Sequence, residues 1–319
     1  MIIGKETLSL QKRTLSEPPR FCDMLRQTGR QAELHNSKET AMNNPFVTNG
    51  YAGAEYFCDR VEETQRIMEL LTNENNMALI SPRRIGKTEL IHHCFSQPCI
   101  KKSYYTFVID IYSTSSVNDL VNMFGKAIID ELRPKGRSAW EKFLQIISSL
   151  RSEISFDING QPVWGIGIGT LANPETTLDE IFTYLNHADK PCLVAIDEFQ
   201  QITNYADKRI EALLRTHIQR CTNAHFIFSG SHRYIMAEMF TSPSRPFYQS
   251  VTLMNLKPLD VEKYRTFAVE KFTERGKQLD GTVADMLFSR FSGVTSYIQR
   301  VMNVLFLKTP VGGRCTPDM

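Results

Sequence analysis

Four apolar residues, Met77-Ala-Leu-Ile80, run straight into Ser81-Pro82-Arg83-Arg84-Ile85-Gly86-Lys87-Thr88. Leu90, Ile91, Cys94 and Phe95 follow at helical spacing. The apolar run reads as a buried strand and the spaced segment as a helix packed on a sheet. Strand, tight loop, Gly-Lys-Thr and helix form the context a phosphate-binding loop needs. Backbone N–H groups of such a loop, with those of the helix N-terminus, make a nest for an anion. Gly86 lets the chain pass close to phosphates without a Cβ in the way. Lys87 brings a positive charge to phosphate oxygens, and the Thr88 hydroxyl is a hard oxygen ligand of the kind Mg²⁺ takes. The first glycine of the usual pattern is Ser81 here. Serine is small, and Pro82 fixes φ near a turn value, so the loop can still bend. The candidate cofactor-binding stretch is therefore Ser81, Pro82, Arg83, Arg84, Ile85, Gly86, Lys87, Thr88 and Glu89. Arg83 and Arg84 read equally as phosphate contacts or as solvated side chains.

A second stretch supplies the partner such a loop requires. Leu193-Val-Ala-Ile196 is again apolar and ends in Asp197-Glu198. Ligands of open α/β sheets bind at the C-terminal edges of the strands, so these acids face the same rim as the loop. Asp197 is the candidate metal partner, acting through water, with Thr88 binding the metal directly. Glu198 stands where an attacking water would and is the candidate general base. Ser229 and Ser231 close the next apolar run and reach the same rim, where a polar side chain can orient water; ordinary turn serines are the competing reading. Arg233 and Arg245 are candidates for a charge that stabilises the transition state, and Arg300 for an arginine reaching the nucleotide from the last helix. With Lys87, Glu198, Ser229 and Ser231, Arg245 completes the candidate catalytic set. Each of the three arginines also reads as structural.

Taken in order, residues 1–41 are polar, mixed in charge and without period, and read as a disordered extension; Met42 is a second candidate start. From residue 44, Gly, Asn and aromatic residues indicate an ordered loop. Asp59 is placed to cap a helix over about residues 61–72. Tyr104 to Tyr112 is rich in aromatic and β-branched residues and reads as a strand. Helical patterns follow near residues 116–133 and 139–150. Residues 153–169 alternate on both sides of Asn159-Gly160, a hairpin signal. Gly165-Ile-Gly-Ile-Gly169 has the wrong spacing for a dinucleotide loop and reads as an edge strand or bulge. Residues 258–308 turn fully helical, and 309–319, with Pro310, Gly312, Gly313 and Pro317, read as a disordered tail.

Composition narrows the setting. A net charge of +2 over 319 residues argues neither for nor against nucleic acid, and no basic stripe stands out. No apolar run approaches a membrane span. Seven scattered cysteines suit a reducing cytoplasm. His92, His93, Cys94 and Cys99 lack a second ligand pair at metal spacing, so zinc is not expected.

Several fragments together resemble the archaeal-type ATPases, an AAA+/STAND-related P-loop family also widespread in bacteria. They are Gly53…Tyr56-Phe-Cys-Asp-Arg60…Glu63, Ile80-Ser-Pro-Arg-Arg-Ile-Gly-Lys-Thr88, Val194-Ala-Ile-Asp-Glu-Phe199, Phe228-Ser-Gly-Ser231, Pro246-Phe-Tyr248, Leu256-Lys-Pro-Leu259 and Gly293-Val-Thr-Ser-Tyr297. The resemblance spans about Pro45 to Phe306. It implies an α/β three-layer sandwich with a parallel five-stranded sheet in the order 5-1-4-3-2, a core over 42–257 and a helical lid over 258–308. It places Tyr56 to Arg60 near the adenine, making Tyr56 and Arg60 cofactor-binding candidates, and it gives Ser229 to Ser231 a sensor role. It implies ATP and Mg²⁺ as cofactors and ATP hydrolysis coupled to a conformational change. A slow nucleotide switch or scaffold and a DNA-associated ATPase stay open as alternatives, as do a homo-oligomer or a protein partner. Two departures stand out: Gln249-Ser250 follows Pro-Phe-Tyr where the family places Gly-Arg, and the chain ends after the lid, where relatives continue into a further domain; truncation or natural loss is the expectation.

Overall fold

The computed structural model describes residues 44–147, 154–164, 171 and 173–319. The expected extension over 1–41 and the Gly165 to Gly169 run lie outside them. The apolar runs read from the sequence become strands. In chain order the elements are α1 (Val61–Thr72), β1 (Met77–Ile80), α2 (Lys87–Ser96), α3 (Pro98–Ser103), β2 (Tyr105–Asp110), α4 (Val117–Leu132) and α5 (Arg137–Ile146). A hairpin of β3 (Ile154–Phe156) and β4 (Pro162–Trp164) comes next, followed by α6 (Pro174–His187), β5 (Cys192–Asp197), α7 (Ile210–Arg220), β6 (Ala224–Gly230), α8 (Arg233–Thr241) and β7 (Thr252–Asn255). The chain closes with α9 (Val261–Thr273), β8 (Gln278–Leu279), α10 (Gly281–Phe291), α11 (Thr295–Lys308) and β9 (Arg314–Cys315).

Five strands form one sheet in the order β2-β5-β6-β1-β7, every pairing parallel. These labels differ from the expected 5-1-4-3-2 because that order counts sheet strands alone. With the hairpin strands left out of the numbering, the sheet reads 2-3-4-1-5 from one edge and 5-1-4-3-2 from the other. Strands covered on both faces read as unbroken apolar runs, whereas edge strands alternate. β1 and β5 are buried at every residue, while β2 and β7, at the edges, alternate between covered and open positions. Alternate strand residues (Ala78, Ile80, Phe107, Ile109, Val194, Ile196, Phe226, Phe228) share one core with apolar residues of α4 to α8. Phe199, Phe228, Phe240 and Phe247 interlock there, with ring centroids 4.6–6.1 Å apart.

Helix starts follow local chemistry. Ser116, Asn173, Asp260 and Asp280 accept hydrogen bonds from the first-turn N–H groups of α4, α6, α9 and α10. Asp59 does not cap α1: Arg60, in left-handed conformation, holds that position, and the Asp59 carboxylate pairs with Lys263 at 3.1 Å. The hairpin is real, with Gly160 at φ 69° and Asp157 N bonded to Gln161 O across the turn.

A second core joins α9, α10 and α11, and it takes in two residues from far along the chain, Phe46 and Cys315. Phe46 lies 5.6 Å from Phe272 and 5.8 Å from Phe306, and Asn44 and Asn303 exchange hydrogen bonds with each other's segment. The expected disordered tail over 309–319 is corrected here. β9 pairs in parallel with β8, Gly312 N donates to Gly276 O at 2.7 Å, Arg314 reaches Asp280 at 3.1 Å, and Cys315 is fully buried. Two-residue strands carry no periodicity, so only the long-range partner reveals them.

Two predictions follow from this packing. Phe228→Ala should cost about 3–5 kcal/mol, as large aromatic truncations in tight cores do, read as a lowered denaturant midpoint. Deleting residues 310–319 should lower the melting temperature by several degrees, about 1–2 kcal/mol for one buried side chain and its hydrogen bonds. An unchanged melting temperature would show that β9 adds nothing.

Candidate functional site

β1 ends at Ile80, and the chain turns sharply. Ser81 is buried, its N–H bonded to Gly230 O at 3.3 Å and its Oγ to Pro82 O at 2.8 Å. Gly86, at φ 90°, caps α2, and Lys87 is the first helical residue. That φ suits glycine because it has no Cβ to clash. Arg84 also adopts a positive φ, 68°, as a residue with a Cβ seldom does. Lys87 is buried, with only 6% of its surface open. A buried ammonium needs a counter-charge; Lys87 makes no ion pair among the described residues, and an anion in the loop's nest would supply one.

The acids stand across the same rim. Asp110 and Asp197 are register partners at the ends of β2 and β5. The Thr88 hydroxyl donates to Asp197, joining the two motifs over 109 positions of sequence. Glu198 sits in left-handed conformation at φ 55°, its N–H bonded to Asp197 Oδ1 at 3.0 Å. Its carboxylate accepts from Ser231 Oγ at 2.7 Å and from Gln200 Nε2 at 2.5 Å. Arg83 Nε in turn donates to Ser231 Oγ at 3.3 Å, so loop and acid are linked through one serine. Ser229 is fully buried one residue beyond the Ile196–Phe228 pair, and its Oγ has no partner among the described residues. Burial, with the charges of Asp197 and Glu198, holds the Asp110 carboxyl above the ordinary carboxylate range, against a lowering hydrogen bond from Tyr112 N.

Lys87, Thr88, Asp110, Asp197 and Glu198 line one cavity of about 520 Å³, whereas Ser81, Pro82, Ser229 and Ser231 are not part of its lining. Its lining joins Arg83 to Glu89, Asp110, Asp197 and Glu198 to residues 47–53, Tyr56, Phe57, Leu259, Tyr264 and the first turns of α11. Arg300 lines it too. His93 stacks on Phe57 at 4.3 Å and bonds Tyr51 at 3.0 Å, so it buttresses this wall. The donor set fits a nucleotide and a hard cation: a buried lysine, a hydroxyl touching a carboxylate, and an orphaned buried serine hydroxyl at the same rim.

Other expected residues lie differently. Arg60 borders the cavity, but its guanidinium is committed to Lys257 O at 2.7 Å, Ile85 O at 3.4 Å and Glu63 at 2.7 Å. It bolts the loop in place, with its donors spent on two backbone carbonyls and the Glu63 carboxylate. Arg84 Nη1 donates to Tyr297 Oη at 2.8 Å, and its carbonyl accepts from Ser296 N. Arg245 is not at the cavity: Glu211 holds it at 2.5 Å and Glu238 at 3.8 Å. As a charge acting within its own chain's site it is therefore corrected to a structural ion pair. Arg233 is exposed at the start of α8, away from the cavity lining. Asp110, Tyr264, Thr295 and Gln299 were missed as site residues; only Asp110 had a local signal, an acid closing an apolar strand as Asp197 does.

Among solved structures, the chain resembles a Walker-type ATPase of Pyrococcus abyssi, at TM-score 0.57 and 19% identity over 83% of this chain and 71% of that one. The ORC2 protein of Aeropyrum pernix in its ADP form matches at TM-score 0.51 and 14% identity, covering 82% and 65%. The ORC1 protein of the same organism, in complex with DNA, matches at TM-score 0.52 and 11% identity, covering 82% and 63%. The chain thus spans less than two thirds of either ORC protein, and at these identities the likeness is one of fold. No curated protein matches the chain. A family model described as an ATPase domain predominantly from Archaea matches residues 57–300, and the chain belongs to that family.

Proposed function

We propose that the chain binds ATP with Mg²⁺ and hydrolyses it, using the cycle to move its C-terminal helices against the sheet. One observation carries this reading: the Thr88 hydroxyl meets the Asp197 carboxylate beside buried Lys87, so two motifs far apart in sequence converge on one point. Lys87 would take up charge on the phosphates. Thr88 and Asp197 would hold the cation, which when bound neutralises phosphate oxygens. Glu198 would accept the proton of the attacking water. Ser229, with its unspent hydroxyl, would face the terminal phosphate or that water. On this reading residues 44–257 form the nucleotide-binding core and 258–308 the lid. The six described cysteines are all free, in keeping with a reducing cytoplasm.

A second reading has its own support. Glu198 already accepts two hydrogen bonds, from Ser231 and Gln200, and a base so occupied is a poor acceptor until released. This favours slow turnover, as in a nucleotide switch. Steady-state phosphate release separates the two: a rate near zero with tightly retained nucleotide selects the switch.

Lys87→Ala should abolish ATP binding in a titration. Glu198→Gln should keep binding and lower turnover about 10²–10⁴-fold, the usual worth of a general base; normal hydrolysis would remove Glu198 from that role. Asp110 gives a pH test. Its folded carboxyl holds a proton that the unfolded chain has released, so stability falls as pH rises from about 4 through the folded value. Asp110→Asn should therefore raise the melting temperature of the nucleotide-free protein at pH 7 and leave it unchanged at pH 3.

A further inference from the structure

The side of the cavity formed by the C-terminal helices carries a reading device of its own. Thr295 and Gln299 are one helical turn apart on α11, and both line the cavity with Tyr264. Tyr264 is fully buried, and burial pushes its hydroxyl well above the ordinary tyrosine value, so it stays protonated. That hydroxyl donates to Gln299 Oε1 at 2.7 Å. The reverse amide orientation would strand a buried O–H, because the hydroxyl makes no other hydrogen bond among the described residues. The Gln299 amide is thereby fixed. Its oxygen is spent, and its Nε2 has no partner among the described residues. Beside it, Thr295 Oγ1 is buried and likewise without a partner. Two unspent polar groups thus line the cavity on α11, the helix whose Ser296 N–H bonds the Arg84 carbonyl.

We propose that Gln299, held in one orientation by Tyr264, reads the base of the bound nucleotide as an obligate donor to a ring nitrogen, with the Thr295 hydroxyl beside it to accept from an exocyclic amine. Adenine carries such a pair, an acceptor nitrogen next to an amine donor. Gln299 is then a specificity-determining residue, and Tyr264 positions it. The proposal rests on the reading of this cavity as an ATP site. It assigns base recognition to the C-terminal helices, separate from the phosphate grip of the loop.

The test uses the full chain and two probes, ATP and inorganic tripolyphosphate, which has the phosphates without a base. Calorimetric titration of wild type, Gln299→Met and Tyr264→Phe gives affinities for each. Gln299→Met should weaken ATP about tenfold, the worth of one hydrogen bond in a closed site, and leave tripolyphosphate unchanged. Tyr264→Phe, which frees the amide to rotate, should weaken ATP about threefold, again sparing tripolyphosphate. Unchanged ATP affinity in Gln299→Met overturns the proposal while the ATP site stands. Equal loss of both probes overturns it too, because the residue then supports only the fold. A wild type that binds neither probe overturns the ATP reading and this inference with it.

Discussion

A hydroxyl resting on a carboxylate holds this molecule's chemistry together. Thr88, at the start of α2 beyond β1, and Asp197, at the end of β5, follow strands separated by β6, and they meet because β1, β6 and β5 lie side by side and parallel. Parallel strands send all their C-terminal ends to one rim, so loop and acids converge without further instruction. The unbroken apolar runs that bury β1 and β5 on both faces are thus also what aim the polar residues following them. Core and site are one construction: a register slip in β5 would turn Asp197 to the other face of the sheet.

Around that contact, the phosphate loop is fastened at several points. Arg60 ties its Ile85 carbonyl to the Lys257 carbonyl, at the entrance to the C-terminal helices. Arg84 spends its carbonyl on Ser296 and its guanidinium on Tyr297. Arg60 and Arg84 therefore serve geometry, although their charge invites a reading as phosphate ligands. Arg83 is different, since it reaches Glu198 through Ser231 and so links the loop to the acid. A charged side chain beside a phosphate site is as readily a strut as a ligand, and only its partners distinguish the two.

Much of this was legible in the residues. Continuous apolar runs ending in Ser-Pro or Asp-Glu gave strand, rim and chemistry together, because burial on both faces and chain reversal both leave local marks. What stayed hidden depends on partners distant in sequence. Glu211 claims Arg245 from 34 positions away. Lys263 claims Asp59, which had looked like a cap. Tyr264 orients Gln299 across two helices. Gly276 and Gln278 organise residues 312–315, whose glycines and prolines had suggested disorder. In each case composition supplied the right group, and the fold decided what it meets.

The wedge of Phe46 among Phe267, Phe272 and Phe306, with the Asn44 and Asn303 crosslink, has a mechanical meaning. The strip that follows, residues 47–57, forms the outer wall of the cavity. That strip is stitched to the final helix at its start and, through Asp59 and Lys263, to α9 just past its end. The wall is therefore tied to the C-terminal helices at both ends, and between them Tyr51 and Phe57 fasten it to His93 of α2. Loosening Phe46 would thus disturb the cavity wall as well as the core of the C-terminal helices.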